Sequence, residues 1–281
     1  MWGLESGKSD LKSTVLPGHT GYVRALYFSP DGRWLITTSG DKTTRLWDLR
    51  TPQPEASGRV FSAHEGEVSA VTFSPDSHWV ATVDANHTAR LWDLQAADPT
   101  AKSFDLRGHE HGVRILVISP DSRWVATTGA PESVFLDDKT VRLWNLRSKN
   151  PAASVLLLLG HERGVSSLAF SNDSQCLVSG SEDGTLRVWD LRTNNPAAAP
   201  LILSGHKGPI RELHMTADSR WIASTVKGDG TRLWLLRTTD LISAARDAAG
   251  RNLSRDEWEL FFQGQPYRNT FADVPESRAT E

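Results

Sequence analysis

Residues 18–48 read GHTGYVRALYFSPDGRWLITTSGDKTTRLWD, and this pattern returns along the chain at a nearly fixed step. Its Trp47 is followed by Trp92, Trp144, Trp189 and Trp234, at intervals of 45, 52, 45 and 45 residues. The histidine keeps the same step through His19, His64, His109, His161 and His206. The single long interval contains seven extra residues, where the third unit has TTGAPESVFLDDKT in place of TTSGDKT. Self-similarity at a period of about 20–50 residues marks a repeat architecture, in which each unit buries its apolar faces against its neighbours.

Each unit reads as four short strands. In the first, the strands are Val23 to Ser29, Trp34 to Ser39 and Thr43 to Leu49, with a fourth before the next histidine. SPDG at 29–32 supplies the reversal, and SPDS at 74–77 and 119–122, SNDS at 171–174 and TADS at 216–219 are its equivalents. Asp, Asn, Ser and Gly favour such turns because they bond their own backbone or tolerate positive φ. The linkers TPQPEASG, QAADPTAKS, RSKNPAA and RTNNPAAAP bring proline, which stops a strand from continuing. Four strands in about 45 residues is the pattern of a propeller blade.

Gly18-His19 to Trp47-Asp48 resembles a WD repeat, as does Gly160-His161 to Trp189-Asp190, and the resemblance covers roughly residues 1–236. It implies an all-β fold, a WD-repeat β-propeller with five complete four-stranded repeats over residues 17–238 and a short helical C-terminal tail over 239–281. Residues 1–16 read as the third and outer strands of an upstream repeat, because Trp2 lies 45 residues before Trp47. Further blades are therefore expected upstream. The alternative is that the strand near Leu11 to Leu16 pairs with the third strand of unit five and closes a five-bladed ring. In the tail, Asp240 caps LISAARDAA, Ser254 and Glu257 form a capping box, and Trp258, Phe261 and Phe262 are expected to pack on the propeller. This tail resembles the one that follows the last blade in large bacterial WD-repeat proteins.

A histidine, a hydroxyl, a carboxylate and a tryptophan recur in each unit: His19, Thr37, Asp41 and Trp47; His109, Thr127, Asp138 and Trp144; His161, Ser179, Asp183 and Trp189. A catalytic site is normally single, so recurrence points to a structural role. In WD repeats the similar residues form a buried hydrogen-bond chain, and this is the role the resemblance implies here. Unit two has Asn86 where the aspartate is expected, and unit five places Asp229 one residue nearer its tryptophan. The terminal aspartate becomes Asn145 and Leu235 in units three and five, so units two and five are the poorest matches. Arg45, Arg90, Arg142, Arg187 and Arg232 each stand two residues before the tryptophan, and period two directs their stems toward a neighbouring blade. Cys176 occupies a slot held elsewhere by Trp34, Trp79, Trp124 and Trp221, which reads as a core position.

Propellers of the resembled family bind partners on the face of the histidine and aspartate loops. Candidate partner-binding residues there are Tyr22, Arg24, Glu67, Arg114, Arg163 and Arg211, together with Phe135 in the third-unit insertion, Pro131 to Asp137. The arginines suit an acidic or phosphorylated peptide, although Glu65, Glu67, Glu110 and Glu162 stand in the same loops.

The net charge of −3 gives no footprint for a polyanion, so nucleic acid is not the expected partner. The lone Cys176 excludes an internal disulfide and a cysteine zinc cluster, in keeping with a cytoplasmic location. The aliphatic run Val155 to Leu159 is far shorter than the ~20 residues of a membrane helix. No cofactor or metal motif is expected, and no P-loop, kinase or GxSxG signature is present. The expected function is a non-catalytic protein–protein interaction scaffold, or the sensor module of a larger signalling protein. A propeller enzyme with a channel active site is the alternative of another class, and no unique carboxylate pair supports it.

Overall fold

The computed structural model describes residues 2–3, 12–61, 64–129 and 138–236. Over these residues the chain is strand and turn, apart from single 3-10 turns at Pro54–Ala56 and Pro151–Ala153. A two-stranded ribbon of β1 (Trp2–Gly3) and β2 (Lys12–Ser13) comes first. Four sheets of four antiparallel strands follow. They are β3 (Val23–Phe28), β4 (Trp34–Ser39), β5 (Thr44–Asp48) and β6 (Arg59–Val60); β7 (Val68–Phe73), β8 (Trp79–Asp84), β9 (Ala89–Asp93) and β10 (Ser103–Asp105); β11 (Val113–Ile118), β12 (Trp124–Gly129), β13 (Val141–Asn145) and β14 (Leu156–Leu158); and β15 (Val165–Phe170), β16 (Cys176–Ser181), β17 (Leu186–Asp190) and β18 (Leu201–Leu203). The fifth sheet has three strands among the described residues, β19 (Ile210–Met215), β20 (Trp221–Val226) and β21 (Gly230–Leu235). Its expected fourth strand, the 131–137 insertion with Phe135, and the helical tail lie outside the described residues.

The chain falls into two compact units, Met1–His214 with Ser224–Arg232, and Met215–Ala223 with Leu233–Glu281. In the second unit, the bonds that close the fifth-repeat turn include Thr216 N–H to the Trp221 carbonyl at 3.0 Å and Trp221 N–H to the Thr216 hydroxyl at 3.0 Å.

In the first unit the core lies between successive sheets. Trp34, Ile36 and Leu46 of the first sheet cluster with Val71, Phe73, Val80 and Trp92 of the second, and the next two joints repeat the arrangement. The third-strand tryptophans Trp47, Trp92, Trp144 and Trp189 are almost wholly buried. Each removes on the order of 200 Å² from water, a gross stabilisation of about 5 kcal/mol.

The sharp turns are built from their own side chains. The Ser29 hydroxyl donates to Asp31 at 2.6 Å, and Trp34 N–H donates back to Ser29 Oγ at 2.8 Å. The residue after the aspartate takes positive φ, 68° at Gly32 but 59° at Ser77, 55° at Ser122 and 57° at Ser174. Serine is an uneasy occupant of that region. Its hydroxyl explains the choice: Ser77, Ser122 and Ser174 accept the N–H of Asp31, Asp76 and Asp121 from the preceding turn, at 3.1, 3.1 and 2.9 Å. Successive sheets are thereby sewn together on the turn side.

β2 pairs with β1, with Trp2 opposite Ser13. Trp2 faces the residue eleven positions on, as Trp92 faces Ser103, so β1 and β2 keep the pairing of a third and a fourth strand.

Candidate functional site

The first four repeats converge on one polar relay. Trp47 Nε1–H donates to the Thr37 hydroxyl at 2.9 Å, that hydroxyl donates to His19 Nε2 at 2.8 Å, and His19 Nδ1–H donates to Asp41 at 3.1 Å. In repeat three the distances are 3.0 Å from Trp144 to Thr127, 2.9 Å from Thr127 to His109, and 2.6 Å from His109 to Asp138. Repeat four gives 2.9 Å from Trp189 to Ser179, 2.8 Å from Ser179 to His161 and 2.9 Å from His161 to Asp183. The direction of donation follows from the inventory of donors. Indole N–H can only donate, which leaves the hydroxyl proton for Nε2 and places the imidazole proton on Nδ1, facing the carboxylate. Both ring nitrogens are thus consumed, and a histidine so placed has no lone pair left to act as a base.

The carboxylates close the loops as well. Asp183 accepts the N–H of Glu162 at 3.0 Å, the N–H of Thr185 at 2.8 Å and the Thr185 hydroxyl at 2.6 Å. Burial opposes ionisation of Asp138, but hydrogen bonds from His109 and Thr140 outweigh it and hold the carboxyl at about 2. The same balance of burial against His161, Thr185 and the Glu162 N–H holds Asp183 well below the usual carboxylate range.

Repeat two reaches this arrangement by a substitution. Asn86 is not the partner of His64; Asp84, the last residue of β8, takes the place at 3.0 Å, with His64 to Thr82 at 2.6 Å and Trp92 to Thr82 at 2.8 Å. Asp84 also receives the N–H groups of Asn86 and Thr88, at 3.0 and 2.9 Å. The sequence signal is an acidic residue at the end of the second strand, where the other repeats have Ser39, Gly129, Ser181 and Val226. In repeat five, His206 bonds Ser224 at 2.8 Å and Asp229 at 3.0 Å, so the displaced aspartate still reaches its histidine.

In repeats one, three and four the guanidinium of the arginine before the tryptophan bonds within its own repeat. Arg45, Arg142 and Arg187 donate to the carbonyls of Gly18, Gly108 and Gly160 at 2.8, 2.7 and 2.6 Å. These glycines have φ of 119°, 127° and 131°. A Cβ at any of the three would lie 2.5–2.6 Å from the guanidinium, so the Gly-His pair combines a backbone conformation with a close approach. Repeat two has Ala63 at this position, and there Arg90 bonds Asp105 at 3.1 Å and stands 3.1 Å from His64 Nδ1. Burial holds His64 below the usual imidazole range; the Arg90 charge adds to this, while the Asp84 hydrogen bond opposes it. The Cys176 thiol is pushed up to about 11 by burial, which suits a core position better than a nucleophile.

The candidate contact residues divide into two kinds. Register shifts mark a β-bulge at Arg24, Ser69, Arg114 and Ser166, the second residue of the first strand in each of the first four sheets. A bulge re-aims its side chain. Where it is serine the hydroxyl folds onto backbone: Ser69 to the Val83 carbonyl at 3.1 Å, and Ser166 to the carbonyls of Gly180 at 3.1 Å and Ile210 at 2.7 Å. Where it is arginine the side chain projects outward. Arg24, Tyr22 and Glu67 come together, with Arg24 bonded to the Tyr22 hydroxyl at 3.0 Å and paired with Glu67 at 2.9 Å. Arg114, Arg163 and Arg211 are exposed and form no ion pair among the described residues.

Sheets of four antiparallel strands, each tied by a Trp–hydroxyl–His–Asp relay, define a repeat protein of the β-propeller class. The WD domain, G-beta repeat model matches residues 11–48, 56–93, 101–145 and 153–190, more than half of the chain, and the protein belongs to this WD40 family. The matched stretches include repeat two and leave out the fifth repeat. No curated protein matches the sequence. WD40 domains generally bind proteins or peptides and are typically non-catalytic.

Proposed function

We propose that the chain is a non-catalytic scaffold or sensor module of a larger signalling protein, and that it reads its partner at the first-strand bulges. One observation carries this reading: the polar groups fall into two classes. The histidines, aspartates and hydroxyls of the relays are committed to the fold, whereas Tyr22, Arg114, Arg163 and Arg211 are exposed and differ from repeat to repeat. Exposed polar residues on a rigid framework are where recognition normally resides. Turnover in a broad hydrolase panel, retained at constant specific activity through purification, would contradict the non-catalytic reading.

The exposed guanidinium groups of Arg114 and Arg211 favour an acidic or phosphorylated peptide as partner, whereas Arg24 already faces Glu67. Fluorescence anisotropy with labelled hexaglutamate and phosphoserine peptides tests this. The expected outcome is binding that weakens about tenfold at 0.5 M salt and in the Arg114→Glu/Arg211→Glu variant, with a smaller effect of Arg24→Glu. Equal affinity of the double variant and the native chain would rule out this partner class.

A further inference from the structure

Each of the four-stranded sheets ends on a short fourth strand, and among the described residues no strand pairs with its far side. Such an edge offers unpaired N–H and C=O groups to any extended chain, and folded proteins blunt it with charge or with proline. Three of the four edges carry such a device. On β6, Arg59 pairs with Asp98 at 3.2 Å. On β10, Asp105 is held by Arg90 at 3.1 Å and by Arg107 at 2.6 Å. Before β18 stands Pro200, which has no N–H to offer.

β14 has neither. Residues 155–159 read VLLLL, and no Asp, Glu, Lys or Arg stands between Lys149 and Glu162. Leu156, Leu157 and Leu159 are 37%, 43% and 56% exposed, whereas Leu158 is buried in the joint with the fourth sheet. Leu157 lies opposite Arg142 in the place where repeat two sets Asp105 opposite Arg90. Its backbone points outward. Leu158 is opposite Val141 and corresponds to Phe61 and Leu106, whose N–H groups bond the carbonyls of Thr44 and Ala89 at 2.9 and 3.0 Å. Bonded residues alternate along an antiparallel strand, so the N–H and C=O groups of Val155, Leu157 and Leu159 face away from β13.

We propose that β14 pairs with β14 of a second copy of this chain, antiparallel about a two-fold axis at Leu157, joining two four-stranded sheets edge to edge. Leu157 then meets the partner's Leu157, and Val155 meets the partner's Leu159. A two-fold contact needs a surface that complements itself, and an uncharged strand provides one. On β10 the same symmetry would set Asp105 against Asp105, a repulsive pair. Leu201 and Ile202 of β18, in the sheet that shares the joint under Leu158, are half exposed and enlarge the apolar surface. The five side chains leave on the order of 450 Å² exposed, a large patch for a monomer. Two copies together remove up to about 900 Å² before the edge backbones are added, close to the ~1,000 Å² at which a specific interface begins. A reversible dimer of micromolar strength fits that size.

Sedimentation velocity of the full chain from about 1 to 200 μM should show a monomer–dimer equilibrium. Leu156→Arg with Leu157→Asp takes its side chains from the equivalent positions Arg59 and Asp105. The variant should keep its circular dichroism and melting temperature while its dimer weakens about tenfold or more. In a Cys176→Ser background, Leu157→Cys sets two thiols across the axis with Cα atoms about 5.5 Å apart, within disulfide reach, so mild oxidation should give a covalent dimer. Val60→Cys, at the same place on β6, should not. A chain that stays monomeric over the whole range would overturn the proposal, as would a dimer that the double variant forms equally well. Equal cross-linking at the two positions would also overturn it, and that comparison decides alone if the double variant loses its fold.

Discussion

In repeat four the relay ends on Asp183, in the loop after the second strand; in repeat two it ends on Asp84, on the strand itself. The tryptophan, hydroxyl and histidine are alike in the two, and the histidine-to-carboxylate distances are 2.9 and 3.0 Å. Around them the support differs. Arg187 clamps the Gly160 carbonyl, whereas Arg90 turns to Asp105 and crowds His64. What the fold requires is therefore a carboxylate within reach of Nδ1 that also accepts loop N–H groups. A particular sequence position is not required. The two repeats differ in one further respect: His64 is held below the usual imidazole range, so repeat two has its own sensitivity to acid.

The largest expected effect tests whether the two relays hang equivalent anchors. Trp189→Ala and Trp92→Ala should each cost about 3–5 kcal/mol in urea denaturation, as for other large buried aromatics. A cost below about 2 kcal/mol in repeat two alone would mean that its relay is ornamental. Next comes the glycine clamp. Gly160→Ala places a Cβ 2.6 Å from Arg187 at a φ of 131°, and should cost about 1–3 kcal/mol in the same assay. An unchanged midpoint would show that the close approach relaxes freely.

The smallest effect is one of pH. The unfolded chain protonates its histidines near 6.5, while folded His64 resists protonation, so its contribution is intact above about pH 6.5 and declines as pH falls toward the lowered folded value. Melting temperature should therefore drop between pH 7 and 5.5, and Arg90→Met, which removes a charge beside His64, should blunt the drop. A flat profile in the native chain would contradict the assignment. The carboxylates act further down: the stabilisation from Asp138 is present above 3.8 and lost as pH falls through about 2.

The fold was readable because the repeat is read many times over. Four strands per unit, the turns and the buried tryptophans follow from period and turn chemistry that recur at each step, so a local deviation cannot mislead. The relay members were equally plain wherever His19, Asp41 and their equivalents kept their places. Asp84 was hidden because sequence alignment counts positions while a hydrogen bond depends on distance, and a strand-end carboxylate reaches the same point in space as a loop carboxylate. Period two gives the face on which Arg45 emerges, but not that its guanidinium donates to the Gly18 carbonyl. The β-bulge at Arg24, Ser69, Arg114 and Ser166 leaves no mark on hydrophobic alternation, so those positions stood out only as variable. Arg24 itself, chosen as a free cation, proves to be paired with Glu67 across two sheets, a contact no local pattern reveals.

Geometry around the histidine, and not the repeat's sequence pattern, fixes each relay, and paired denaturation of Asp84→Ala and Asn86→Ala separates the two. Loss of Asp84 leaves the buried His64 N–H without its acceptor and should cost about 1–3 kcal/mol, while loss of the Asn86 side chain should stay within about 0.5 kcal/mol. If Asn86→Ala proves the more damaging of the two, the account of repeat two is wrong.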